Sequence, residues 1–274
     1  MFNGSEETNI ILQDTLLEGI TDVSFDYSIQ EEAVLLLANR GINRKINRPT
    51  VASCSISKAY IRKDFIQQLT GYVNLSGQFV YGTNGLDFNG ATITNYKISL
   101  NPEDIPRLSV DLKIYGDLKP STDLRLSSAA QDYEQKNISP TSIVFNLDDT
   151  VSAVTSFDYS VEFDSIPTYE IESTKSSYSK ILTPIKYSAS ANIEMLEQEF
   201  ENMTGLLENE SFNRNISFSL IDESGLVLNE FSLPNASLKS QNISISSSDT
   251  VQLSISYVGY GLNVPTGAPV SSAL

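Results

Sequence analysis

Strict alternation of apolar and polar residues dominates the chain. Val23-Ser24-Phe25-Asp26-Tyr27-Ser28-Ile29 alternates throughout, as do Phe157 to Phe163, Leu108 to Ile114, Val251 to Tyr257 and Ile216 to Leu220. A period of two sends successive side chains to opposite faces, so each segment predicts a strand with one buried and one polar face, as in antiparallel sheets. Asn84-Gly85 and Asn89-Gly90 supply the positive φ angles of tight hairpin turns, and Glu223-Ser224-Gly225 fills the corresponding place later in the chain. Helical spacing appears at Glu194 to Leu207, through Met195, Leu196, Phe200, Met203 and Leu207, and more briefly at Arg62 to Leu69. Gly71 and Gly205 stand where those helices should stop.

The pattern occurs twice. Ser24-Phe25-Asp26-Tyr27-Ser28 is identical to Ser156-Phe157-Asp158-Tyr159-Ser160. Pro49 and the Ser-rich run Ala52 to Ile56 answer Pro184 and Tyr187 to Ala191, and Leu69-Thr70-Gly71 answers Met203-Thr204-Gly205. Lys97-Ile98-Ser99-Leu100 answers Asn242-Ile243-Ser244-Ile245, Leu108-Ser109-Val110 answers Leu253-Ser254-Ile255, and Tyr115-Gly116 answers Tyr260-Gly261. Collinear matches of this kind signal an internal duplication. They predict a mainly β protein with two tandem β-sandwich or half-barrel domains, at 10–120 and 144–262, each with one packed α-helix. The polar stretch 121–143 reads as a linker, and the Pro- and Gly-containing segment 263–274 as an irregular tail.

Composition removes several kinds of chemistry. The 274 residues include no histidine and one cysteine, Cys54. Imidazole-based triads, cysteine–histidine pairs, imidazole metal sites and a single-chain cysteine zinc site are therefore excluded, and Cys54 reads as a small buried hydrophobe. The net charge of −16 argues against a broad surface for gripping nucleic acid but suits a wall along which nucleic acid slides without sticking. The N-terminal residues carry no basic n-region or apolar h-region, so no secretory signal is expected, and no apolar run is long enough for a membrane helix. Triplets such as Asn215-Ile216-Ser217 and Asn242-Ile243-Ser244 arise by chance in so Asn- and Ser-rich a chain.

Candidate acid pairs are few. Glu31-Glu32 and Asp148-Asp149 are neighbours that point to opposite faces of a strand, and Glu194, Glu197, Glu199 and Glu201 read as a solvated helix side. Gly82-Thr83-Asn84-Gly85 lacks the Gly-Lys-Ser/Thr ending of a phosphate loop and reads as a turn. No catalytic, metal or cofactor site is expected. The distinctive charged feature is Asn39 to Pro49, where Arg40, Arg44, Lys45 and Arg48 occur without an acid. Its counterpart 173–180, with Lys175 and Lys180, is also free of acids. A basic loop on an acidic protein is suited to docking on an identical neighbour.

The order of features resembles that of phage tail-tube proteins: a Phe-x-Tyr strand, a polar loop ending at Pro49 or Pro184, a Ser-rich strand, a helix, then alternating strands closing at Tyr-Gly. The resemblance covers most of the chain, twice, and is similar to the duplicated siphophage type that forms trimeric rings of six domains. It implies a structural virion protein, made in the host cytoplasm and assembled with itself and other tail proteins into a tube that conducts DNA without specific binding. It also implies that Arg40, Arg44, Lys45, Arg48, Lys175 and Lys180 contact the next ring and that acids line the lumen, without assigning which. A distal-tail or baseplate hub ring is the alternative, with a carbohydrate-binding β-sandwich adhesin behind it.

Overall fold

A computed structural model describes residues 8–17, 19–28, 31–35, 42–47, 51–59, 65–101, 106–121, 143–147, 150–169, 176–196, 214–221, 227–245 and 250–262. Nearly all of them are strand, in large antiparallel sheets, so the fold is mainly β. The first half runs β1 (Thr8–Leu12), β2 (Thr15–Leu17), β3 (Ile20–Ser28), β4 (Glu31–Leu35), β5 (Ile42–Asn47), β6 (Val51–Ala59), α1 (Phe65–Leu69), β7 (Leu75–Tyr81), β8 (Asn84–Leu100), β9 (Arg107–Ile114) and β10 (Leu118–Ser121). The second runs β11 (Ile143–Leu147), β12 (Thr150–Glu162), β13 (Ser165–Tyr169), β14 (Ser176–Ile181), β15 (Ile185–Leu196), β16 (Arg214–Ile221), β17 (Val227–Ile245) and β18 (Thr250–Gly261).

Eight strands form one continuous layer in the order β3-β6-β9-β8-β12-β15-β18-β17. The alternation seen in the sequence explains its two faces. On β6, Ala52, Cys54 and Ile56 are buried while Ser53 and Ser55 are exposed, and β9, β15 and β18 continue the pattern. A second layer covers the apolar face. In the first half it is β7, β1 and β2; in the second it is β16 and β11. Long strands carry the chain between layers: β8 pairs with β7 through residues 84–91 and with β9 beyond, and β17 pairs with β16 before turning to β18. Aromatic contacts bind the layers, with Phe25 and Phe79 ring centres 5.4 Å apart in the first half and Phe157 and Phe218 4.5 Å apart in the second. The bend in β8 needs Gly90, at φ +66°, because a Cβ there would lie 2.9 Å from the Gly116 nitrogen. The corresponding bend in β17 uses Asn235 at φ +49°, a side chain that tolerates the left-handed region.

The ladders of the second half repeat those of the first. Ile98 lies opposite Leu108 and Ile243 opposite Leu253, so both members of the pair move along the chain by the same interval. Irregularities recur with the ladders. The bulge between Ile93 and Asn95 returns between Leu238 and Ser240, that between Leu75 and Gly77 between Arg214 and Ile216, and that between Ile20 and Asp22 between Val154 and Ser156. The β4–β5 hairpin slips at Val34/Leu35 and the β13–β14 hairpin at Thr168/Tyr169. A bulge is a local accident of register, so four coincident bulges mark equivalent strands.

This equivalence corrects the alignment of the identical pentapeptides. Phe25 lies opposite Cys54 and Tyr159 opposite Ala189, while Cys54 and Ala189 face Leu112 and Tyr257 in equivalent ladders. Phe25 therefore occupies the ladder position of Tyr159, and Val23 that of Phe157. The match is displaced by one full pleat from the one the pentapeptides suggest. Because the slip is even, every side chain keeps its face.

Other expectations change as well. The β7–β8 turn is Gly82-Thr83, with Tyr81 paired to Asn84, so Asn84-Gly85 opens β8, and Asn89-Gly90 is the bend within it. The reading of Gly82 to Gly85 as turn region rather than phosphate loop stands. Leu118–Ser121, partly assigned to the linker, is a strand paired with β8 at Gly85 to Phe88. Glu194, Met195 and Leu196 end β15 instead of starting a helix, because the ladder with β18 runs through Leu196 opposite Thr250. The remainder of that expected helix, the Glu223 turn and Gly205 lie outside the described residues. In the first half, α1 is present but five residues long, and Gly71 follows at φ +87°.

Candidate assembly edges and the polar face

The two halves meet at one seam, where residues 95–100 of β8 pair with 157–162 of β12. Phe157 faces Leu100, Tyr159 faces Ile98 and Val161 faces Tyr96, and all six side chains are buried. Burying Phe157, Leu100, Ile98 and Val161 is worth about 1.5–3 kcal/mol each. Burial also drives the Tyr159 hydroxyl far above its ordinary pKa, and it donates to the Ser232 carbonyl at 3.3 Å. On the opposite face Ser99 donates to Asp158, and Lys97 reaches the same carboxylate at 3.7 Å. The β13–β14 hairpin closes the seam from above. Thr92 and Ser179 hydroxyls lie 2.9 Å apart, the Tyr115 hydroxyl meets Ser165 at 3.1 Å, and the Phe163 amide donates to the Thr94 carbonyl at 2.8 Å.

Among the described residues the ends of the layer are open: β3 pairs with β6 alone, and residues 237–245 of β17 pair with β18 alone. These edges expose apolar side chains: Tyr27 is 46% accessible, Ile243 36% and Ile245 66%. An unpaired edge with apolar side chains is a template for another strand.

The polar face is Ser-rich and laced across its strands. Ser55 and Asn95 both donate to Asp111, Asn192 donates to Ser156, Ser254 donates to Asn192, and Lys186 donates to both Glu162 oxygens at 2.9 Å. The bond to Glu162 is the main cause of the raised Lys186 pKa. One groove on this face draws its walls from β12, β15, β18 and β17, including Ser156, Asp158, Asn192, Ser240 and Asn242. The described acids of the polar face are Asp22, Asp26, Asp111, Asp158, Glu162 and Glu194, set among the bases Lys97, Arg107, Lys113 and Lys186. The sequence could not assign these positions, because the face they share emerges only from the pairing.

Of the basic residues singled out above, Arg44 and Lys45 lie on β5, opposite Val34 and Ala33, and Lys180 is exposed on β14 opposite Ile166. Each expected loop thus contains one strand of a two-stranded hairpin, β5 paired with β4 and β14 paired with β13. Arg40, Arg48 and Lys175 lie outside the described residues. Cys54 is buried, and burial first, then the Asp111 charge, pushes its thiol up to about 12. Such a thiol is inert. Among the described residues no group of three or more Cys, Asp or Glu is placed to hold a metal ion, and no helix is long and apolar enough to cross a membrane. Asp148, Asp149, Glu197, Glu199 and Glu201 lie outside the described residues.

No protein-family model matches the chain, and no curated protein matches it.

Proposed function

We propose that the chain is a non-catalytic structural subunit that closes into a ring and stacks into a phage tail tube. One observation carries this reading: the two open edges of the layer are the ladder equivalents of the two strands already joined at the seam. An edge of one kind at each end makes a head-to-tail contact, which closes into a ring when the rotation allows. Each chain is then two copies of one module, and the tail-tube resemblance implies three chains to a ring. Three chains of eight strands supply 24 strands; at about 4.8 Å spacing and about 40° tilt the barrel is about 48 Å across at the backbone, room enough for a DNA duplex. The Ser-rich polar face becomes the lumen wall. Short serines and acids balanced by nearby bases offer a sliding duplex no basic stripe to grip. The segment with Arg40, Arg44, Lys45 and Arg48, with Lys175 and Lys180, is proposed to contact neighbouring copies, including those of the next ring.

Negative-stain electron microscopy of concentrated protein tests the reading. Hollow tubes of stacked rings are expected. Rings that never stack would favour the hub role, and particles without a central hole would remove the proposal.

A further inference from the structure

The seam inside the chain specifies the joint between chains. We infer that β17 of one copy receives β3 of the next antiparallel, with Val23 opposite Ile245, Phe25 opposite Ile243 and Tyr27 opposite Gln241. This inference rests on the ring reading above and adds the register.

The register follows from the ladder equivalences. In the seam, Phe157 faces Leu100, Tyr159 faces Ile98 and Val161 faces Tyr96. The first member of each pair maps onto β3: Phe157 onto Val23, Tyr159 onto Phe25 and Val161 onto Tyr27, as the shared bulge requires. The second maps onto β17: Leu100 onto Ile245, Ile98 onto Ile243 and Tyr96 onto Gln241, again fixed by a shared bulge. Equivalent modules in a closed ring must meet through equivalent joints, because any other register gives neighbouring modules unequal shear around the barrel.

Exposure supports the joint itself, whichever even register it takes. Five large apolar side chains that lie open in the single chain have counterparts buried at or beside the seam. Tyr27 corresponds to Val161, Ile243 to Ile98, Ile245 to Leu100, Leu238 to Ile93 and Tyr260 to Tyr115, and every counterpart is 5% accessible or less. Tyr115 owes its cover to the β13–β14 hairpin, through Ser165. The equivalent hairpin is β4–β5, and in the single chain Tyr260 is 49% accessible. The same operation therefore lays the β4–β5 hairpin of the incoming copy over Tyr260. The strand carrying Arg44 and Lys45 thus joins neighbours within a ring, with Lys45 at the ladder position of Ser179.

The polar face of the joint follows too. Ser24 falls opposite Ser244, where the seam has Asp158 receiving a hydrogen bond from Ser99. Asp26 falls opposite Asn242, where the seam has Ser160 opposite Lys97. The ladder of the joint is thus hydrogen-bonded and lacks the seam's ion pair.

Disulfide trapping tests the register. Directly opposed residues bring Cα atoms within about 5.5 Å, inside disulfide reach, whereas a slip of two residues places them about 7–8 Å apart. The full chain carrying Ser24→Cys and Ser244→Cys should give, on mild oxidation, a covalent species at three times the chain mass that returns to monomer under reductant. Both serines are exposed, and buried Cys54 does not compete. The companion variant Asp26→Cys with Ser244→Cys matches the register that the identical pentapeptides would give. Its preferential trapping would overturn the inferred pairing and leave the ring reading standing, as would rings by microscopy with neither pair trapped. A chain that stays monomeric at every concentration, with no trapping, would overturn both.

Discussion

The seam and the open edges are built from the same strands and differ in what covers them. At the seam, Ile98 and Tyr159 face each other with neither reached by water; at the edges, Ile243 and Phe25 occupy the same ladder positions with Ile243 open to solvent. Intrinsic strand propensity cannot separate the two, since both carry alternating apolar residues. On the proposed reading, the edge sequences suit a buried state that pairing with a second copy would supply. An exposed apolar edge on an isolated molecule is a hazard, and pairing with a second copy removes it.

Paired substitutions at one ladder position break the comparison most sharply. Ile98→Asp should cost about 4 kcal/mol or more, because it buries an unpaired carboxylate, and urea denaturation should find the chain largely unfolded. Ile243→Asp should leave monomer stability within about 1 kcal/mol yet abolish assembly in gel filtration. If both variants behaved alike, the edges would not be assembly copies of the seam.

Alkaline pH probes the residues one strand in from each joint. Cys54 lies opposite Phe25 on the edge strand, and Tyr187 opposite Val161 on the seam strand. Burial pushes both groups up to about 12. Their folded pKa values exceed the unfolded ones, so the unfolded chain loses these protons first. The stability they contribute is intact below the unfolded thiol value of 9.0 and is lost as pH climbs toward 12, which thermal melts across that window should record.

The two bends give a smaller contrast. Gly90→Ala should cost about 1–3 kcal/mol, since the left-handed backbone and the Gly116 contact both resist a Cβ. At the equivalent place in β17, Asn235→Gly should cost about 1 kcal/mol, since relief of the left-handed backbone is set against the lost hydrogen bond from the Asn235 amide to the Tyr260 carbonyl. Smallest is Lys97→Ala: its ion pair with Asp158 is half exposed, so a loss of about 0.5 kcal/mol or less is expected in the same denaturation assay.

Much of the architecture was legible in the sequence because period-two alternation is set by local geometry. The strands around Phe25, Phe157, Leu108 and Leu253 fell where the pattern placed them. What failed was information held by distant partners. Glu194 to Leu196 carries helical spacing, yet β18 offers a ladder that captures it. Asn84-Gly85 has ideal turn chemistry, but pairing of Tyr81 with Asn84 fixes the turn two residues earlier at Gly82-Thr83. The identical pentapeptides sit one pleat out of register because side-chain identity reports core chemistry: Phe25 and Phe157 each pack against an aromatic of the outer layer, Phe79 and Phe218, from ladder positions that differ by two. The polar lining and the open edges were beyond reach, since neither exists before the strands are ordered in a sheet.

Native mass spectrometry of the wild-type chain beside Ile243→Asp, over a rising concentration series, bears most directly on whether the edges seek a second copy. With a chain mass of 30.1 kDa, three chains make a species of about 90 kDa. The account predicts that this species grows in for the wild type and is lost in the variant. A wild-type chain that remains at 30.1 kDa throughout, or a variant that still assembles, would contradict it.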